Sequence, residues 1–534
     1  MATQSREPAD ADVRELDAFP GHERVRIDLR NPAPFGYGIA VTLGLIALVD
    51  RADAAIVGGI LPTLQSYFGF GDAWAGIVLS APSIAALLLV VPAGRLADTR
   101  SRKTVLSIVI FVWGLLSFGA AAAPTFALFL LARILLGVAT PLNIPASASI
   151  VGDTFRSEAR TKAFAVLRVM EYLGFPLGVA VGGIVGGTLG WRYAFLIMGV
   201  PALVLSGYIA LKLREPRRGL ADELTIEAER AGIPVAVVEP DESVGFGAIA
   251  EAGEPLNVAH VADEDFEKPG VWRRTKEVLA IRTLRWIIIG QALLFAGFAG
   301  LFSFASTFFY RVQNLPEGAA AGISGGIGLI GLLVGGALAS RIGDRHHGER
   351  PGWRIFVAAV ALCIASVSVL LFTLIPVLPI QILLYLLINF ANIIALANLG
   401  SSQADVIPAR LRGTGFATAQ FLVTIGSSFG ALIVGGVSAY VISGRTDVTQ
   451  NQVNDAKNAV KNAKDAGASP VVVAQLQHVY DKLDAVFGPA QAIGIRWGVG
   501  ALFIVLIVGA VTIFRARATY DADAARVIAA VEAA

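Results

Sequence analysis

The stretch Gly94-Arg-Leu-Ala-Asp98-Thr-Arg100-Ser-Arg102-Lys103 sits between two apolar runs that are too long for strands. It opens with a glycine that lets helices approach, places a carboxylate at a helix end, and follows with Arg100, Arg102 and Lys103, cations that resist crossing a bilayer and fix this edge to the cytoplasm. The pattern returns: Ser340-Arg341-Ile342-Gly343-Asp344-Arg345 lies between a second pair of apolar runs and matches Gly94-Arg95-Leu96-Ala97-Asp98-Thr99. A chain that repeats its own inter-helix loop in this way is built from two related halves.

Composition agrees with a bilayer as solvent. Of 534 residues, 55% are hydrophobic and 16% charged, and the mean hydropathy is +0.66. These values belong to a membrane protein. A formal net charge of +2 with no basic face beyond short loop clusters excludes a nucleic-acid partner. Cys363, the one cysteine, lies inside an apolar run, so neither an intrachain disulfide nor a cysteine metal site is available. The polar first residues have no apolar core ahead of a cleavage site, so no removable signal is expected. There is no phosphate loop of the G-x-x-x-x-G-K-[ST] kind, which argues against ATP hydrolysis, and no nucleophile and base pair placed for hydrolysis. The adjacent pair His346-His347 has poor spacing for a metal and reads as solvated. The chain is therefore not read as an enzyme, and no cofactor or metal is expected.

Residues 1–36 form a polar tail. Six apolar segments, near 37–62, 73–97, 104–123, 125–152, 162–188 and 192–213, make a first bundle over 37–214. Six more, near 284–311, 318–342, 354–374, 378–405, 413–442 and 491–515, make a second over 284–516. The fold class is an all-α membrane protein with twelve transmembrane helices in two pseudo-symmetric six-helix bundles. Loop cations fall on one side, and the opposite short loops are nearly free of them, which places both termini inside the cell and the protein in the cell membrane as a multi-pass protein; a monomer is the expected state by default. The 215–283 connection is acidic and then basic; its first part is expected to lack a stable fold and its second to be an amphipathic helix at the membrane surface. A helical hairpin is expected outside, over 443–490, from apolar spacing broken at Gly467-Ala-Ser469-Pro470, and 517–534 is a second cytoplasmic tail.

Charges inside hydrocarbon are costly unless paired or wet, so they mark function. Helix 1 carries Asp50, Arg51 and Asp53; helix 4 carries Arg133; helix 5 carries Arg168 and Glu171. At about 1.5 Å per residue, Asp50 and Arg133 fall at similar depths, which leaves an Asp50–Arg133 pairing open. Closed ion pairs that orient helices are one reading, and a titratable site formed by Asp50, Glu171 and Arg133 is the other. The second half is neutral by contrast: Gln291 on helix 7 and Asn389 and Asn392 on helix 10 offer hydrogen bonds, and Phe295 and Phe298 an apolar wall. Asn143 on helix 4 is placed in the same cavity. Charges on one side, amides and aromatic rings on the other, suit an amphipathic small molecule or lipid. Glycines spaced by about four residues, at Gly174, Gly178 and Gly182 on helix 5, at Gly322, Gly326, Gly331 and Gly335 on helix 8, and at Gly426, Gly430 and Gly435 on helix 11, provide close helix contacts.

The duplicated loop resembles the signature loop between helices 2 and 3 of the major facilitator superfamily. That resemblance implies alternating access around a cavity lined by helices 1, 4, 7 and 10. It also implies that helices 2, 5, 8 and 11 form the contacts between halves, with the glycine stripes carrying the rocking motion. Gly94, Asp98, Arg102, Asp344 and Arg345 would then hold a cytoplasmic gate. More narrowly, Asp50-Arg51 followed by Gly58–Phe68 (GGILPTLQSYF), with Arg133, Gly137, Pro145 and Asp153, is similar to the spinster-like lysolipid and sphingolipid transporters. A glutamate that the family carries seven residues after the helix 4 arginine is Thr140 here, and its role passes to Glu171. The resemblance implies a proton-coupled carrier of a lysophospholipid or related lipid. A proton-coupled multidrug exporter is the alternative, and a non-transporting receptor on the same fold is disfavoured by the cost of retaining the intramembrane charges.

The topology has a direct test. In a Cys363→Ser background, Ser469→Cys should react with an impermeant thiol reagent added to intact cells, and Ser243→Cys only after permeabilisation. Labelling of Ser243→Cys in intact cells reverses the orientation.

Overall fold

The computed structural model describes residues 13–19, 24–231, 233, 271–344, 352–407 and 412–532. Backbone groups in hydrocarbon have to bond within their own segment, and the spans are accordingly helical. Span one is α1 (Gly38–Gly59), continued by α2 (Leu61–Phe68), which restarts at Pro62 and ends at Gly69 with φ of 75°. Spans two and three are α3 (Asp72–Thr99) and α4 (Arg102–Ala122). Span four is broken: α5 (Phe126–Ala139) passes through a 3-10 turn, Thr140–Leu142, into α6 (Asn143–Thr154), because Pro141 offers no backbone N–H to continue the ladder. Spans five and six are α7 (Ser157–Thr188) and α8 (Trp191–Lys212), followed by α9 (Leu220–Arg230) and α10 (Val271–Ala280). The second half comprises α11 (Arg282–Val312), α12 (Glu317–Asp344), α13 (Trp353–Leu374), α14 (Leu378–Val406) and α15 (Arg412–Ser443). It ends with α16 (Gln450–Asp465), α17 (Pro470–Gly500) and α18 (Leu502–Glu532).

Among the described residues, 11 helical stretches are long and apolar enough to cross a membrane. α1 is the twelfth span; its 22 residues suffice in length, but Asp50, Arg51 and Asp53 lower its apolar content. The expected twelve-helix architecture is thus present. Each half repeats one packing scheme: α1 lies against α7 and α4 against α8, as α11 lies against α15 and α13 against α18. The halves meet where α7 packs on α12 and α3 on α15.

The glycine stripes divide differently from expectation. A β-carbon at Gly174, Gly178 or Gly182 would run into the backbone of α1, and one at Gly426 or Gly430 into the backbone of α11, so these stripes bind each half to itself. Of the expected stripes Gly435 does reach between halves, where a β-carbon would meet Asp72 and Gly76; close approach there also uses Gly76, which faces Ala431, and Gly183 and Gly325, which face Ala321 and Pro176.

The tail folds together with the first part of the connection, the part expected to lack a stable fold. Strand β1 (Val13–Leu16) pairs antiparallel with β2 (Val25–Asp28), Val13 opposite Asp28. Phe19, Ile27 and Leu29 pack on Leu220, Leu224 and Ala228, which recur at four-residue spacing along α9. The signature loop anchors this layer. Arg102, 1% exposed, donates to Glu215 Oε1 from its backbone N (2.8 Å) and its Nε (3.2 Å), to Ser149 Oγ at 2.8 Å and to the Pro216 carbonyl at 2.7 Å, and pairs with Asp153. Asp153 also accepts from Gly219 N at 3.0 Å. Arg102, expected at a gate between halves, therefore clamps α4, α6 and the segment after α8 within one half.

Burial alone would raise the Glu215 carboxyl, but hydrogen bonds from Ser101 and from the backbone and side chain of Arg102 outweigh it and hold Glu215 below the ordinary glutamate range. A depressed carboxylate contributes stability that is complete above its unfolded value, about 4.3, and is lost as pH falls through the depressed folded value. Protease resistance of residues 213–231 should thus be flat at neutral and mildly acidic pH and decline only in stronger acid. Arg102→Ala strands two partly buried carboxylates, a loss of about 3–5 kcal/mol, and should expose this segment to cleavage at all pH values; unchanged cleavage rates in Arg102→Ala overturn the anchoring role.

Candidate substrate cavity and its closure

Three charges on α1 part into two directions. Asp53 and Arg133, each 1% exposed, form a buried ion pair: Arg133 Nη1 donates to Asp53 Oδ2 at 2.8 Å and Nη2 to the Asp53 carbonyl at 3.3 Å. Ser117 donates to the other carboxylate oxygen, and the guanidinium lies 5.5 Å from the ring centre of Phe195. The Asp50–Arg133 pairing left open by depth counting is corrected here, since one further turn of α1 presents Asp53 to Arg133 instead. Asp50 is 7% exposed, accepts from Thr140 Oγ1 at 3.4 Å, and belongs to none of the ion pairs formed by the described charges around it. Its contact is thus the hydroxyl that stands where the spinster-like pattern has a glutamate.

Arg51 points the other way, to α7. Its Nε and Nη2 donate to Glu171 Oε1 at 2.9 and 2.6 Å, and Arg168 Nη1 donates to Glu171 Oε2 at 2.8 Å. These side chains are 27%, 15% and 23% exposed for Arg51, Glu171 and Arg168, so two guanidiniums share one carboxylate beside accessible space. Arg51 stands 5.8 Å from the centre of the Phe175 ring; Phe175 meets Phe302 edge-on at 6.0 Å, and Phe302 lies 5.4 Å from Phe298.

That row of rings leads into a narrow apolar cavity between the halves, lined by Tyr172, Phe175, Phe295, Phe298 and Asn389 among others. Asn389 donates to the Tyr385 carbonyl at 2.8 Å. Asn392, also in the lining and 2% exposed, has neither its amide nitrogen nor its oxygen bonded. Gln291 and Asn143 are buried but lie outside the lining, and Asn143 accepts from Ser147 at 2.9 Å. Tyr172, Phe175 and Pro176 were missed in the sequence, although they share a helical face with Arg168 and Glu171.

At the end of the bundle that carries α16, polar groups join the halves, and these too were missed. Asp72 at the start of α3 takes Arg311 Nη1 from the end of α11 at 3.0 and 2.8 Å, and also accepts from Gln65 Nε2 (2.8 Å) and from Ser438 on α15. Gln65 Oε1 accepts from Arg311 Nη2 at 2.7 Å, and Glu317 of α12 accepts from Thr63. Asp72 and Arg311 are 1% and 5% exposed in their side chains, so this latch closes that end of the cavity. Of the residues expected at the opposite gate, Gly94 and Asp98 lie on the last turns of α3 and Asp344 ends α12, while Arg345 is outside the described residues.

Residues 43–431 match the model of the Major Facilitator Superfamily. The chain is 31% identical over 192 residues to the 4-hydroxybenzoate transporter PcaK of Pseudomonas aeruginosa, covering 35% of this chain and 42% of that one. It is 30% identical over 193 residues to the sphingosine-1-phosphate transporter SPNS2 of Mus musculus, covering 35% and 34%. The matches therefore span less than half the length of these curated relatives. In fold it is similar to a bacterial homologue of the human lysosomal transporter Spinster, solved inward-facing and occupied, with a TM-score of 0.68 at 20% identity over 91% of this chain and 97% of that one. With a duplicated six-helix bundle, a cavity between the halves and a family match over most of its length, the chain belongs to the Major Facilitator Superfamily of membrane transporters.

Proposed function

We propose that this transporter carries an amphipathic anion, foremost a lysophospholipid or related lipid, by proton-coupled alternating access, with both termini and residues 215–283 in the cytoplasm. The observation that carries this reading is the junction of two surfaces: the Arg51–Glu171–Arg168 cluster, in which two guanidiniums meet one carboxylate, and the apolar cavity joined to it through Phe175 and Phe302. A head group with negative charge fits the first, and an apolar tail the second. The amide of Asn392 supplies both a donor and an acceptor within the apolar wall. SPNS2 and the Spinster homologue are named for transport, the first of sphingosine-1-phosphate, which has this division of chemistry. PcaK, named for 4-hydroxybenzoate, supports a second reading, a small aromatic carboxylate, which the same cation and phenylalanine rings suit.

Proton coupling is assigned to Asp50. A buried carboxylate without a cation is expensive in its charged form, and a proton or hydration relieves that cost. Among the described residues, the charges of α1 and those facing them on α5 and α7 are three carboxylates, Asp50, Asp53 and Glu171, and three guanidiniums, Arg51, Arg133 and Arg168. Protonation of Asp50 tips that balance by one positive charge, so a proton and an anionic head group favour one another in the same conformation. Opening the cavity then changes hydration at Asp50 and allows release.

Proteoliposomes with an imposed pH gradient test both parts. Lysophospholipid uptake should accumulate in the gradient, and Asp50→Asn should abolish accumulation while keeping downhill exchange. Glu171→Gln should instead weaken release of anions, because two guanidiniums are left with no carboxylate between them. If Asp50→Asn accumulates substrate normally while Glu171→Gln fails, the coupling site is on α7; if both behave as the parent, proton coupling is withdrawn. Uptake of 4-hydroxybenzoate in place of every lysolipid tried selects the second reading.

A further inference from the structure

The insertion between spans eleven and twelve is bonded to the other half of the molecule. α16 begins with a reciprocal capping box between Thr449 and Gln452 and buries Val453, Asn454 and Val460. Asn454, 7% exposed, donates from Nδ2 to the backbone carbonyl of Gln65 at 3.3 Å. That carbonyl belongs to the last turn of α2 and already accepts from Gly69 N at 2.9 Å, so Asn454 takes its second lone pair. Asn454 is itself held in place: Gln450 Nε2 donates to its Oδ1 at 3.0 Å, and Gln491 Nε2 donates to Gln450 Oε1 at 2.8 Å. A row of amides thus runs from the start of span twelve to the end of span one. One turn before Asn454, Asn451 lies so close to Gly69 that a β-carbon there would overlap its side-chain oxygen. Gly69 meets two demands at once, the positive φ that ends α2 and the room for Asn451.

The residue gripped in this way is part of the latch. Gln65 presents its carbonyl to α16 and its side chain to Asp72 and Arg311. We propose that the insertion is a strap: α16 reaches from the second half across to α2 in the first and adds its grip to the Asp72–Arg311 latch, biasing the transporter toward the form closed at this end. The proposal rests on the alternating-access reading above. In the form open at this end, α2 moves away from α11, and Asn454 has to release the Gln65 carbonyl. The direct bond between the strap and α2 is polar, so water can replace it when it opens. That is the chemistry of a reversible clasp. Loss of one net hydrogen bond shifts a two-state equilibrium about five-fold.

Leu189 and Val377 are exposed, lie in loops at this end and belong to opposite halves. Spin labels at Leu189→Cys and Val377→Cys, in the full chain with Cys363→Ser and reconstituted in lipid, report the opening as a distance distribution. Asn454→Ala should raise the ratio of the long-distance to the short-distance population about five-fold, and Asn454→Asp, which presents only acceptors to the carbonyl, at least as much. Asp72→Asn, which weakens the latch itself, serves as the control. If Asp72→Asn lengthens the distances while both Asn454 variants keep the parent distribution, the strap is overturned and alternating access stands. If Asp72→Asn also keeps the parent distribution, the alternating-access reading falls and the strap with it.

Discussion

The guanidinium of Arg133 is buried at the meeting of α1, α4, α5 and α8, and Asp53 supplies the carboxylate it requires. A charge so far from water has to be matched, and removing either partner from such a pair costs about 3–5 kcal/mol. The match fixes the rotation of α1. With Asp53 turned to α5, Asp50 one turn earlier faces the same direction and reaches the break in span four, where it finds Thr140. Arg51, between them, is thrown to the opposite side, toward Glu171 on α7. One satisfied pair thereby leaves a second carboxylate without a cation and a second guanidinium beside the cavity, the two features that the proposed chemistry needs.

The same economy of polar groups separates what is permanent from what moves. Within each half, glycines let backbones touch, and in the first half a large apolar cluster fills the remaining space. At the closed end between halves, the joint is made by Asp72, Arg311, Gln65, Ser438, Thr63 and Glu317, groups that water can solvate if the joint opens. Small residues at Gly76, Gly183, Gly325 and Gly435 bring the backbones of opposite halves close. Where the boundary is made of solvatable contacts and close backbone approach, it opens at a lower cost than an interdigitated core.

Much of this was legible in the sequence. Long apolar runs, the repeated loop and the six charges of the first half were enough for the twelve-span duplicated fold and for the side of the cavity that carries charge. The partner of Arg133 was not, because Asp50 and Asp53 differ in depth by less than one helical pitch, about 5.4 Å. Counting along two helices cannot resolve that difference without knowing how each is rotated. The latch was hidden for another reason. Asp72 and Arg311 sit at span ends, where charges ordinarily face water, and nothing local reports that residues so far apart in sequence meet. The folded tail is an intermediate case: Leu220, Leu224 and Ala228 form a visible apolar stripe, but the strands that cover it come from the other end of the bundle's sequence. Glycine spacing announced close packing without saying which neighbour approached.

Charge on one half and rings on the other also bear on how a substrate can drive the cycle. A ligand shifts a conformational equilibrium only through a difference in its affinity for the two states. A ligand bound to Arg51 and Arg168 alone would contact the first half in either state and change little. One that also runs along Phe175 to Phe302 and Phe298 crosses from α7 to α11, and its contacts depend on how the halves sit. Length, as well as charge, is then part of what this cavity selects: the head group binds, and the tail reports whether the halves have closed around it.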